Sequence, residues 1–253
     1  MYTTTRPLPT ADAGAKRALD YESPAAVPLL STIGLATADG ELNRELNHFL
    51  FDPPSDPDLL KGRRIAILCT NGVEEVEILG AHRWLTEHGA TVHVVSPKAG
   101  QMPPAYGVKM PEQALTHVLC IRLMENAGWL KIDQHLETAR PEDYDAVILP
   151  GGCWNPDFLR ADKNAQAFCQ AIDKAGKPVC AICHGPWVLV SARMLQGRKA
   201  TAVWNIHIDL ENAGATVLDE PVVVDGNLIT ARFPYDLPRM VKALVAQLVR
   251  AEK

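Results

Sequence analysis

The chain has 253 residues, 47% of them apolar and 22% charged, the balance of an ordinary globular protein. Lysine and arginine total 25 against 30 aspartate and glutamate, a formal charge of −5 that offers no footprint for nucleic acid or anionic lipid. No apolar run reaches the roughly 18 to 20 residues of a membrane helix, and the stretch from Met1 to Arg17 lacks the apolar core of a signal peptide, so the expectation is a cytoplasmic protein with no nucleic-acid or membrane partner.

Residues 1–61 read as an N-terminal arm with two short helices near 11–20 and 40–50. The arm ends in a stiff linker carrying Pro53, Pro54 and Pro57, because successive prolines fix φ. From residue 62 the pattern changes. Arg64 to Thr70 is a buried-strand run, Glu74 to His88 has helical periodicity and stops at Gly89, and Thr91 to Ser96 is a second strand. A segment at 98–140 interrupts the alternation, and a helix is expected over Glu112 to Ala127. It is placed at the sheet's carboxyl edge or at a subunit contact.

The alternation then resumes, with strands at 145–149 and 178–182 and helices at 164–175 and 186–195. A β-hairpin over 222–230 turns at Asp225-Gly226, and an amphipathic helix at 237–250 closes the chain. The fold class is therefore α/β, one doubly wound, flavodoxin-like parallel sheet over 62–253 with a cysteine elbow and a C-terminal hairpin.

The chemistry gathers at strand ends. In Pro178-Val179-Cys180-Ala181-Ile182-Cys183-His184-Gly185-Pro186 a strand runs into a helix with proline in its first turn, which puts Cys183 on a turn like the nucleophile elbow of hydrolases. Backbone N–H groups and the helix dipole there are expected to lower the thiol pKa. Cys180 completes a C-x-x-C, but a residue inside a strand is badly placed for a redox bridge to Cys183, and core packing is the better reading. A zinc site lacks a second ligand cluster, so no metal and no cofactor is expected.

Glu74, Glu75 and Glu77 open the helix after the first strand. Three glutamates in one turn are ordinarily surface charges that offset the dipole, yet ligands of an open sheet bind outside the strands' carboxyl ends, where both this turn and Cys183 lie. Gly151 and Gly152, after the third strand, are candidate oxyanion donors, joined by the N–H of His184. His207 is the one other histidine placed to border the pocket.

The ordered segments NGVEEVE, VILPGG, PVCAICHGP, VVVDGN and ARFPYDL resemble the ThiJ/PfpI superfamily, with its class I glutamine-amidotransferase-like fold, and are closest to its intracellular-protease branch. The resemblance implies Cys183 as nucleophile, Glu74 as the protonated carboxyl bonded to it and His184 as base. It further implies that Asp157, matched by allowing one inserted residue, orients the histidine across a subunit contact, hence a homo-oligomer. The tract 231–236 lacks the histidine of the amidotransferases. Three activities follow from the resemblance. They are a cysteine enzyme on small reactive carbonyls or glycated groups (glyoxalase III or deglycase type), a cysteine peptidase or amidase, and a redox-sensing or chaperone-like stress protein.

Overall fold

The computed structural model describes residues 41–98, 112–123 and 125–250; the expected helix at 11–20 lies outside them. In chain order the principal elements are α1 (Glu41–Phe51), β1 (Arg64–Leu68), β2 (Val73–Glu74), α2 (Glu75–Glu87), β3 (Thr91–Ser96), β4 (His117–Arg122), β5 (Glu125–Lys131), β6 (Gln134–His135), β7 (Ala146–Leu149), α3 (Trp154–Leu159), α4 (Lys163–Lys174), β8 (Val179–Ile182), α5 (Pro186–Ser191), β9 (Lys199–Ala200), α6 (His207–Asn212), β10 (Thr216–Val217), β11 (Val222–Asp225), β12 (Leu228–Ala231) and α7 (Leu237–Arg250).

Seven strands make the central sheet in the order β11-β12-β8-β7-β1-β3-β6, parallel throughout except for β11 against β12. β1, β7 and β8 lie at its centre, which explains their unbroken apolar runs: Ile65–Leu68, Ala146–Leu149 and Val179–Ile182 are buried on both faces. From β1 the chain winds outward to β3, then returns to β7 and winds the other way to β8. Right-handed crossovers in opposite directions put α2 on one face and α4 on the other. The switch point falls between β1 and β7, so the turns after β1, β7 and β8 open into one crevice.

The 98–140 segment departs from expectation. In place of a helix over 112–127, a single 3-10 turn at Glu112–Leu115 leads into the antiparallel pair β4–β5, and β4 runs parallel to β2 through Val73↔Cys120 and Glu74↔Ile121. Val118, Cys120 and Ile121 are buried by this pairing. The hairpin therefore stands at the carboxyl edge, beside the turn that launches α2.

α1 packs on α2, α7 and the 3-10 turn Pro234–Asp236. Leu46 and Leu50 form a cluster with Val76, bordered by Phe49, Phe233 and Tyr235, and Arg239 pairs with Glu45 at 2.9 Å. Gly80 makes the close approach possible, since a Cβ there would stand 2.8 Å from Leu50 Cδ2.

Candidate active site

Cys183 follows β8 with φ +60°, a left-handed conformation that a non-glycine residue holds only under constraint. The constraint is visible in the hydrogen bonds: Cys183 N–H donates to Ala231 O (3.1 Å), Cys183 O accepts from Val203 N–H (3.0 Å), and Gly185 N–H donates to Ile182 O (2.8 Å). Gly185 itself is pressed on β7, where a Cβ would lie 2.2 Å from Leu149 O. The strand-to-helix turn thus forces the Cys183 side chain into the crevice, where the residue is 6% exposed.

The acid against the thiol is Glu77. Its carboxyl interacts with the Cys183 thiol, and its Oε2 accepts the Gly151 N–H at 2.5 Å. Oε1 is buried with no nitrogen or oxygen partner among the described residues. Burial and the nearby charge of Glu74 raise Glu77 to about 8, against the opposing pull of Gly151 N–H and Cys183, so the carboxyl is protonated at neutral pH. The carboxyl that meets the thiol is therefore not the expected Glu74 but Glu77, one helical turn along. Glu74 instead faces the hairpin, its Oε2 accepting the Leu123 N–H at 3.0 Å, and burial lifts it to about 7.

Glu75, pushed by burial to about 7, holds Arg122 Nε at 2.8 Å. None of the three is a surface charge: their exposures are 3%, 2% and 0% for Glu74, Glu75 and Glu77. A signal for Glu77 did exist in the sequence. Glu77, Ala81 and Leu85 recur every four residues, and Ala81 and Leu85 are core positions.

His184 presents Nδ1 3.3 Å from Cys183 Sγ. Burial lowers its pKa, so it is neutral at pH 7 and can accept a proton. Its ring lies 5.2 Å from that of Trp187, which also stacks under Arg160 at 5.3 Å. The N–H groups of His184 and Gly152 point at the sulfur and favour its ionised form. Burial, Glu77 and Glu74 outweigh them and push the thiol well above its ordinary range, the reverse of the expected lowering. A helix dipole and two N–H groups do not compensate a fully desolvated sulfur beside carboxylates.

Of the three expected oxyanion donors, Gly151 is spent on Glu77, leaving Gly152 and His184. Gly152 holds φ +79° and fits only without a side chain, a Cβ being 2.2 Å from Gly72 O. Asp157 sits exposed on α3 and makes no hydrogen bond or ion pair among the described residues; it does not reach His184 within the chain. His207 is turned to Ala202 O at 2.9 Å and stays outside the site. Cys180 is fully buried in β8, its thiol pushed up by burial. No group of three or more His, Cys, Asp or Glu among the described residues is placed to hold a metal.

The sequence profile of the DJ-1/PfpI family matches residues 63–247. The chain belongs to the DJ-1/PfpI family. An uncharacterised protein of Staphylococcus saprophyticus is 34% identical over 189 residues, 74% of this chain and 98% of its own, and one of Staphylococcus aureus is 35% identical over the same length. Among solved structures, a two-domain protein of Anabaena variabilis with DJ-1/ThiJ/PfpI-like and ferritin-like domains is 34% identical (TM-score 0.63). The match covers 74% of this chain and 48% of that one, so this chain spans about half of it. Drosophila melanogaster DJ-1beta, 23% identical with a TM-score of 0.63 over 74% of this chain and 90% of its own, shares the fold. None of the helices in the described residues is long and apolar enough to cross a membrane.

Proposed function

We propose that this member of the DJ-1/PfpI family is a cofactor-independent cysteine enzyme acting on small reactive carbonyls, of the glyoxalase III or deglycase type. The observation that carries the reading is the bracketing of Cys183 by a neutral histidine at 3.3 Å and by a buried glutamic acid that keeps its proton at pH 7. One group is built to take the thiol's proton and the other to give one.

A 2-oxoaldehyde can use both groups in turn. His184 Nδ1 takes the Cys183 proton as Sγ bonds to the aldehyde carbon, and the carbonyl oxygen takes the Glu77 proton to give a hemithioacetal. The Glu77 carboxylate then removes the hydrogen of that carbon while the His184 imidazolium gives its proton to the neighbouring carbonyl oxygen, forming an enediol; Glu77 returns its proton to the neighbouring carbon as the now neutral His184 takes the C1 hydroxyl proton. The resulting thioester is cut by water, releasing a 2-hydroxy acid and restoring the thiol. Atoms balance with one water consumed and no net oxidant.

One feature favours this reading over peptide hydrolysis. A nucleophile 6% exposed suits a small substrate better than a peptide chain. We further propose that the acid orienting His184 is Asp157 of a second subunit in a homo-oligomer. The test is methylglyoxal loss with matched hydroxy-acid formation by wild type and by Cys183→Ala. Peptide cleavage, or no turnover of any dicarbonyl, would overturn the reading.

A further inference from the structure

The β4–β5 turn breaks a local rule. Arg122 pairs with Glu125, so two residues join the strands, and Leu123 is the first of them with φ +56°. Two-residue hairpins require positive φ at that position and take glycine, asparagine or aspartate there; a leucine is held against its preference. Packing does not explain the choice. Leu123 is 44% exposed and belongs to neither apolar cluster of the described residues.

The backbone of Leu123 is nonetheless tied to the site. Its N–H is bound by Glu74 Oε2 at 3.0 Å, and the preceding residue, Arg122, is fixed by Glu75 at 2.8 Å. Glu74 N–H in turn donates to Gly151 O at 3.2 Å, and Gly151 lies so close to the nucleophile that a Cβ there would be 2.6 Å from Cys183 Cβ. Two buried carboxyls therefore hold the backbone of an exposed apolar residue and its neighbour Arg122, in a costly conformation, on the hairpin beside the turn that launches α2, two hydrogen bonds removed from Gly151 and the Cys183 turn. A strained residue that the fold does not need points to a role at the site.

We propose that Leu123 is a specificity-determining residue, its isobutyl group forming the apolar wall along which the substrate's carbon chain lies while Cys183 adds to the carbonyl. The inference rests on the carbonyl-enzyme reading for the substrate class and narrows it to 2-oxoaldehydes bearing an alkyl or aryl group over glyoxal.

The test reads Cys183 labelling, independent of turnover. Alkylation rates of Cys183 by N-benzylmaleimide and N-methylmaleimide are followed by peptide mass, each normalised to glutathione. Wild type is expected to prefer the benzyl reagent by about 5- to 10-fold, the worth of a modest apolar contact. Leu123→Gly and Leu123→Asn, both at ease with positive φ, should lose most of that preference without a fall in melting temperature. Leu123→Met should keep it. An unchanged ratio in the glycine and asparagine variants overturns the inference, and a loss of oligomer mass with an unchanged ratio assigns Leu123 to a subunit contact instead. If neither reagent labels Cys183, the nucleophile assignment fails and this inference fails with it. An intact wild-type preference without dicarbonyl turnover retires the proposed reaction alone.

Discussion

Glu77 and Gly151 are joined at 2.5 Å by the Gly151 N–H and Glu77 Oε2, a bond that binds α2 to the turn after β7 and leaves Oε1 free for the proton. The two jobs of this carboxyl can be separated. Glu77→Gln keeps an acceptor for Gly151 and cannot carry a proton, so turnover is expected to fall by about 10²-fold or more while the fold stays intact. Glu77→Ala loses both, and leaves Gly151 N–H buried without a partner at a cost of roughly 1–3 kcal/mol. Steady-state kinetics beside thermal melts distinguish the two variants.

The same carboxyl gives stability a defined pH dependence. Burial raises Glu77 from 4.5 to about 8 and Glu74 and Glu75 from 4.5 to about 7. Between these values the folded state holds protons that the unfolded chain has lost, so stability falls as pH rises through that window. His184, lowered by burial, acts oppositely as pH rises through the ordinary histidine range. Relative to wild type, Glu77→Gln is expected to gain on the order of 2 kcal/mol between pH 5 and pH 7.5. Parallel denaturant curves for the two proteins would refute the assignment.

The central strands and the elbow were legible because β-branched and apolar runs bounded by glycine and proline have few other readings. The β4–β5 hairpin was not, for a physical reason: its turn carries Leu123 where a hairpin ordinarily shows glycine or asparagine, and without that punctuation Glu112 to Ala127 also fits a helical period. The choice among Glu74, Glu75 and Glu77 depended on which side of α2 faces the sheet. The four-residue row through Ala81 and Leu85 carries that information, but the general preference for acids at helix starts masked it.

The elbow is held by geometry that tolerates little. Gly185→Ala would put a methyl 2.2 Å from the Leu149 carbonyl oxygen, and backbone cannot yield there as a side-chain tip can. A loss of about 2–4 kcal/mol is expected, with Cys183 displaced. At Cys183 itself, with φ +60°, Cys183→Gly should be more stable than Cys183→Ala by about 1 kcal/mol, both lacking the nucleophile. Equal melting of these two would show that the turn carries no strain.

α1 lies outside the stretch that matches the family, 63–247, yet it is packed as core: Leu46 is 0% and Leu50 4% exposed. Leu46→Ala is expected to cost about 2–4 kcal/mol, the range for a buried leucine. Val76, which both leucines touch as a cluster, stands beside Glu77, so the same variant should also reduce turnover at temperatures where the protein stays folded. Unchanged kinetics with lowered stability would confine α1 to a structural role.

The proposed contribution of Asp157 across a subunit contact can be decided without knowing the assembly. The His184 ring has only Cys183 as a hydrogen-bonding partner among the described residues, and Asp157 stands exposed on α3 beside exposed Trp154 and Phe158. If Asp157 of one subunit orients His184 of another, each site needs Cys183 from one chain and Asp157 from its neighbour. Cys183→Ala and Asp157→Ala should then each be inactive alone. A co-refolded mixture should regain activity through hybrid pairs in which one site draws both intact residues, up to about a quarter of wild type for random dimers, since half the pairs are hybrid and each carries one intact site of two. Subunit exchange is confirmed by the mixed mass. Activity absent despite exchange, or Asp157→Ala active by itself, would remove Asp157 from the mechanism and leave Cys183, His184 and Glu77 as a site complete within one chain.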